Sequence, residues 1–173
     1  GKVTPLSGVN TIAAGTAVKT PGTLICPYVS QNLDEIITVE DEELVVAFLD
    51  MVENHKMIIE NSGLLTVAAL KHLDVQNKKI VSILSGGNMD VITMSSVVQQ
   101  GLVLRDRIFS VSVLLPDKPG ELSRVSDVIA RQNGNVIKLE HNQFVSINRN
   151  AAVELRITME AYGTEHKNQI IAA

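Results

Sequence analysis

Ser85, Gly86, Gly87 and Asn88 end a short apolar run and open a helical pattern. Two adjacent glycines let the backbone approach a ligand closely, the serine adds a hydroxyl, and the helix that follows offers free N–H groups to an anion. The stretch is not a P-loop, since no Lys-Ser/Thr pair follows, and it lacks the three glycines of the dinucleotide fingerprint. As a bare pattern it is more often a tight turn than a ligand corner. Glu60 opens another helical pattern after an apolar run. A carboxylate there usually meets a helix end, and less often faces a ligand. Asp117, Lys118, Pro119, Gly120, Glu121 and Leu122 form a strand-to-helix corner. That corner is a turn by default, and a plausible place for a small amino acid or a phosphate.

Other chemistry finds less support. The histidines, His55, His72, His141 and His166, have no metal-ligand spacing among themselves or with the single cysteine, so no metal site is expected. His72 and Asp74 make a weak pair. Ser62 and Ser85 lack a base that the sequence places beside them. Cys26 cannot close an internal disulfide, and with no activating neighbour it reads as an inert thiol in a reducing, cytoplasmic setting.

The net charge of −4, the 3% aromatic content and the lack of a basic run argue against nucleic acid as a partner. No apolar run reaches the length of a membrane span, and the first residues lack the regions of a signal peptide. Hydrophobic residues make up 45% of the 173. That proportion fits a rich core, or a segment or oligomer whose apolar surface meets a partner.

The elements that must position these residues follow from periodicity. Residues 10–18 suit a short helix closed by a Lys-Thr-Pro-Gly turn, and 27–33 a second, weaker one. The "EIITV" run, 35–39, reads as a short buried strand. Glu40, Asp41, Glu42 and Glu43 crowd the first turn of the clearest helix, where the dipole favours negative charge, and Leu44, Ala47, Phe48 and Met51 follow at helical spacing. Asn61 or Ser62 can cap a buried helix over 63–73. The run 80–84 reads as a strand and 89–100 as a helix that stops at Gly101. Strand, helix, helix, strand, helix suggests a parallel α/β sheet, with Ser85–Asn88 at the carboxyl end of a strand, where ligands gather.

After Arg105 the pattern changes. Phe109, Val111, Val113 and Leu115 alternate with their neighbours; Leu122, Val125, Val128 and Ile129 mark a helix; Gln132 to Asn135 is a stop. Residues 136–141 and 151–160 read as strands, and Thr164 as the cap of a last helix. The order β-α-β-β-α implies an antiparallel sheet with helices on one face. The boundary falls between 101 and 106, giving domains over 1–104 and 105–173.

Taken in order, "TIAAGTAVKTPG" (11–22), "VEDEEL" (39–44), "IENSGLLTVAAL" (59–70) and "ILSGGN" (83–88) resemble threonine dehydratase, of the tryptophan-synthase-β-like class of pyridoxal-phosphate enzymes. "VLLPDKPGELSRVSDVIARQNGNVIKLEH" (113–141) resembles its ferredoxin-like ACT regulatory domain. The resemblance implies that Ser85 hydrogen-bonds the pyridine nitrogen of pyridoxal phosphate, with Gly86, Gly87 and Asn88 shaping that wall and Glu60 near the ring. It implies that the loop from Asp117 to Leu122 takes a small effector, an amino acid such as isoleucine or valine or a nucleotide, often across a dimer interface. Asn133, Asn135, Val136 and Ile137 on the neighbouring strand would complete that effector site. The family's Schiff-base lysine and phosphate loop lie in its N-terminal half; Lys2, Lys19, Lys56, Lys71, Lys78 and Lys79 fall outside the matching motif. The expectation is a C-terminal part of the enzyme, without the last strand of the ACT-like pattern, inactive alone and self-associating. Two other readings stay open: a part of a serine dehydratase or racemase, and a stand-alone amino-acid sensor without catalysis.

Overall fold

The computed structural model describes residues 3–142 and 153–173. Two compact units, residues 1–101 and 102–173, divide the chain.

The first unit is built around its acidic helix. α1 (Cys26–Asn32) precedes it, carrying Pro27 at its start, where a missing N–H costs nothing. α2 (Asp41–Asp50) begins after Glu40, and the Glu43 carboxylate accepts the Glu40 backbone N–H at 3.0 Å, the returning half of a capping box. That bond first, then His72 at 2.9 Å, hold the Glu43 carboxyl below the usual carboxylate range. His72 therefore pairs with Glu43 and not with Asp74. Leu44, Phe48, Met51, Ile59, Leu64, Ala68 and Val97 form the buried cluster of this unit.

Several expected elements differ. Residues 35–39 form no strand, and Glu35 and Ile36 are exposed. Residues 80–84 join no ladder either: Val81 is 89% and Ile83 72% exposed. Thr66 holds this run instead, its hydroxyl donating to the Ile83 carbonyl at 3.1 Å. A buried parallel strand needs a neighbour on each side, which an apolar run does not supply by itself. No parallel pair occurs among the described residues.

The helix expected over 10–18 contracts to one 3₁₀ turn, Ala14–Thr16. Gly15 and the β-branched residues around it disfavour a helix, and neighbouring segments take its backbone groups. The helix expected over 63–73 is broken into 3₁₀ turns, Asn61–Leu64 and Ala69–His72, flanking α3 (Leu65–Ala68). Gly101 is no stop: α4 (Val91–Leu104) runs through it. A Cβ there would lie 2.6 Å from Leu49 Cδ1, so this glycine lets α4 close on α2.

The second unit follows the order β1 (Ile108–Leu115), α5 (Glu121–Arg131), β2 (Asn135–Asn142), β3 (Val153–Glu160), α6 (Thr164–Ala172). The sheet is antiparallel with strand order β1-β3-β2. β3 is central and buries Val153, Leu155, Ile157 and Met159 on one face. Ile129 of α5 and Ile170 of α6 pack on that face, so both helices cover the same side. Residues 151 and 152, expected to start β3, lie outside the described residues. Thr164 is the first residue of α6 and not its cap, which is Gly163. Its hydroxyl donates to Asp106 Oδ2 at 2.8 Å, and Lys167 Nζ donates to Oδ1 at 2.7 Å.

Lys167 first and Thr164 second lower the Asp106 carboxyl below its ordinary range. A carboxyl lowered in the folded state stabilises above its unfolded pKa of about 4, and that contribution is lost as pH falls through the lowered value. Asp106→Asn is therefore expected to reduce the Tm at pH 7, with the gap to the parent closing on acidification to about pH 2–3. Thermal scans across that range check this; a gap unchanged by pH contradicts it.

Candidate functional site

The segments that resembled a family by order alone are brought together in the first unit. Asp41 accepts from the Thr11 hydroxyl at 2.5 Å and from the Ile12 N–H at 3.0 Å. Asn61 Nδ2 donates to the Ile12 carbonyl at 3.1 Å, and the Gly15 N–H donates to Ser62 Oγ at 2.8 Å. These bonds fold residues 11–15 over the start of the 61–72 helical stretch. Glu60, immediately before that stretch, accepts the Asn88 N–H on Oε2 at 3.2 Å.

Gly86 shows why the corner is glycine. Its φ is +78°, and a Cβ there would lie 2.2 Å from the Glu60 carboxyl carbon. Gly63 serves the same corner from the other side: a Cβ on it would lie 1.9 Å from the Ser85 carbonyl oxygen. Both glycines are needed for close approach, one for its backbone conformation as well. Ser85 and Gly87 are exposed, and no hydrogen bond engages the Ser85 hydroxyl among the described residues.

A cavity of about 370 Å³ opens beside this corner. Glu60, Asn61, Ser62, Asn88, Asp90 and Thr93 contribute its polar wall, with Ile12, Ala14, Gly15 and Met89 completing it. Asp90 is held below its usual range, chiefly by the Thr93 hydroxyl and then by the Thr93 and Ile92 N–H groups. No lysine or arginine lines the cavity. Of the expected site residues, Glu60 and Asn88 reach its wall, and Gly86 packs behind Glu60. Gly15, Asp90 and Thr93 were not singled out from the sequence, and Asn61 and Ser62 were read there only as helix caps, with Ser62 also weighed as a nucleophile without a base. Gly15, Asn61 and Ser62 stood inside the quoted motifs, but only Glu60 carried an obvious charge.

The second expected constellation is divided. Asp117, Lys118, Pro119, Gly120, Glu121 and Leu122 line a cavity of about 170 Å³ that also touches His141. Gly120, with φ +95°, precedes α5. Asn133, Asn135, Val136 and Ile137 lie at the other end of the sheet, because Leu115 pairs with Val153 whereas Asn135 pairs with Glu160. Strands of eight residues separate the two groups by roughly 25 Å. Within one chain they cannot touch one small molecule. Asn133, at positive φ, instead borders a cavity with Arg131, Tyr162 and His166. Val136 and Lys138 flank an irregularity in the ladder at Ile137. Cys26 is a free, half-buried thiol at the start of α1.

Residues 1–86 match the family model described as "Pyridoxal-phosphate dependent enzyme". The particular relatives are threonine-deaminating enzymes. L-threonine ammonia-lyase of Geobacter sulfurreducens is 35% identical over 99% of this chain and 43% of its own length. Its namesake in Thermotoga maritima is 32% identical over 98% and 43%. The solved processed form of threonine deaminase isoform 2 from Solanum lycopersicum covers 56% of this chain and 29% of its own, at 28% identity and a TM-score of 0.52. The resemblance to threonine dehydratase read from the sequence therefore holds. The chain spans about two fifths of the length of the curated relatives it matches.

The family's cofactor, pyridoxal phosphate, fits one side of this corner. An unengaged hydroxyl on Ser85 and the open space at Gly87 suit the edge of an aromatic ring, while the cavity lining holds no cation for a phosphate.

Gly86→Ala is expected to force Glu60 away and break its bond to the Asn88 N–H. The combined strain and clash should cost about 1–3 kcal/mol of stability. Urea denaturation checks this; an unchanged midpoint would mean that the corner is not held by Glu60.

Proposed function

We propose that this chain supplies the cofactor-ring wall and the regulatory domain of a cytoplasmic threonine deaminase, an enzyme that converts L-threonine to 2-oxobutanoate and ammonia. One observation carries the reading: Ser85–Asn88 is folded against Glu60 with an unengaged serine hydroxyl, in a chain related to threonine ammonia-lyases along nearly its whole length.

Bound pyridoxal phosphate would supply an electron sink for loss of the β-hydroxyl as water. Ser85 would meet the pyridine nitrogen with a neutral hydroxyl, which leaves that nitrogen largely unprotonated and tempers the sink. Gly87 would admit the ring face, and Glu60 holds the corner through Asn88. The covalent lysine is expected in another part of the enzyme, so the 173-residue chain alone is proposed to be inactive. The exposed apolar side chains of Val81, Ile83, Val91 and Ile92 support the view that further structure covers them.

The second unit is proposed to be an ACT-like regulatory domain on the strength of its β-α-β-β-α order and the cavity at its first strand-to-helix loop. Its effector would be a small amino acid, such as isoleucine or valine, or a nucleotide. Because the two groups of effector residues lie at opposite ends of one sheet, a site using both requires two chains, and a homo-oligomer is proposed.

The test uses the full-length polypeptide loaded with cofactor. It should convert L-threonine to 2-oxobutanoate, and Ser85→Ala should lower kcat about tenfold or more, the cost of one hydrogen bond at the reacting ring. Efficient racemisation of serine without threonine deamination would overturn the assignment.

A further inference from the structure

Ser85 ends a run that pairs with no strand among the described residues, yet its place is set. Within residues 80–85 only Ser82 and Ile83 take part in hydrogen bonds among the described residues, and both bonds go to Thr66. The Thr66 hydroxyl donates to the Ile83 carbonyl at 3.1 Å, and the Ser82 hydroxyl donates to the Thr66 carbonyl at 3.4 Å. The Gly63 carbonyl oxygen lies 3.5 Å from the same Thr66 hydroxyl, whose single proton goes to the nearer acceptor, Ile83.

A second contact acts in the same register. Gly63 closes on the Ser85 carbonyl, where a Cβ would lie 1.9 Å from the oxygen. Ile83 and Ser85, two apart on the run, therefore meet Thr66 and Gly63, three apart on the helical stretch and so on one face of it. Exposure alternates along the run as it does in a strand. Ser82 and Leu84 are half-buried, with Leu84 packed on the core of this unit, whereas Val81, Ile83 and Ser85 are exposed. A slip of one residue would exchange the two sides, exposing Leu84 and turning the Ser85 hydroxyl inward. Thr66 is itself exposed, where water can replace its bond, so the bond contributes alignment more than stability.

We propose that Thr66 is a positioning residue. Its hydroxyl, bonded to the Ile83 carbonyl, keeps the run 82–85 in register and so holds the Ser85 hydroxyl where the pyridine nitrogen of pyridoxal phosphate would meet it. This rests on the deaminase reading, which makes Ser85 the ring contact; Thr66 acts only through it. The Glu60–Asn88 bond and the packing of Leu84 keep the run attached when the Thr66 bond is cut, so the loss is one of alignment and not of the fold.

The experiment is calorimetry on the cofactor-free full-length polypeptide with pyridoxal phosphate and with its deaza analogue, in which a C–H group replaces the ring nitrogen. Phosphate and aldehyde contacts are common to both, so the ratio of the affinities isolates the bond to that nitrogen. The parent protein should prefer pyridoxal phosphate about fivefold, the worth of one hydrogen bond, and Ser85→Ala should abolish the preference. Thr66→Val should reduce it below about twofold, and Thr66→Ser, which restores the hydroxyl, should bring it back. Thr66→Ala, a better helix former, gives the same readout if the valine variant does not fold. If the valine or alanine variant keeps the preference, or weakens both cofactors with their ratio unchanged, Thr66 is a structural tether only and the inference falls. It falls too if Thr66→Ser fails to restore the ratio, since the methyl group and not the hydroxyl would then set the position. If the parent protein shows no preference, the placing of Ser85 at the ring nitrogen falls first, and this inference with it.

Discussion

The Glu60 carboxylate is the constraint on which the first unit turns. It joins two segments 28 residues apart by accepting the Asn88 N–H, and its bulk fills the space that a side chain at position 86 would need. Gly63 admits the Ser85 carbonyl from the opposite side. The corner therefore has little freedom: a polar anchor, a left-handed glycine and a backbone contact together set where the Ser85 hydroxyl stands. Preorganisation of this kind is what a site for a flat, rigid ring requires, since a hydrogen bond to a ring nitrogen loses its value when its donor wanders.

A second layer of tethers supports that corner. Asp41, at the start of α2, holds Thr11 and Ile12; Asn61 holds Ile12 again; Ser62 holds Gly15. Acidic residues at a helix start are usually read through the helix dipole, yet Asp41 spends its carboxylate on a distant segment. Glu43 spends its own on the Glu40 backbone and on His72. The opening residues need no regular helix of their own because these side chains take their backbone groups, and one 3₁₀ turn is enough.

Local chemistry was legible in the sequence, and pairing was not. The start of α2 is specified by Glu40 and Glu43 within four residues, and the alternation of β3 by Val153, Leu155, Ile157 and Met159, so both were visible as patterns. The runs 35–39 and 80–84 were apolar and β-rich, but a strand is completed by its neighbours, and none lies beside them among the described residues. Gly101 looked like a helix stop because a glycine near a helix end usually is one; its purpose, close contact with Leu49, depends on α2. Of the site, Ser85–Asn88 and Glu60 stood out by type. Asn61 did not, because a buried amide becomes informative only when its partners can be counted. The residues expected to hold an effector were close in a motif and are distant in the sheet, since β1 and β2 flank β3 and run antiparallel to it.

The central claim is that this corner meets the ring end of pyridoxal phosphate. Its most direct test is a crystal structure of the full-length protein with the cofactor bound. The account predicts Ser85 Oγ within about 3 Å of the pyridine nitrogen, with Asn88 still bonded to Glu60. A ring nitrogen facing another group, with the Ser85 hydroxyl turned to solvent, would contradict it.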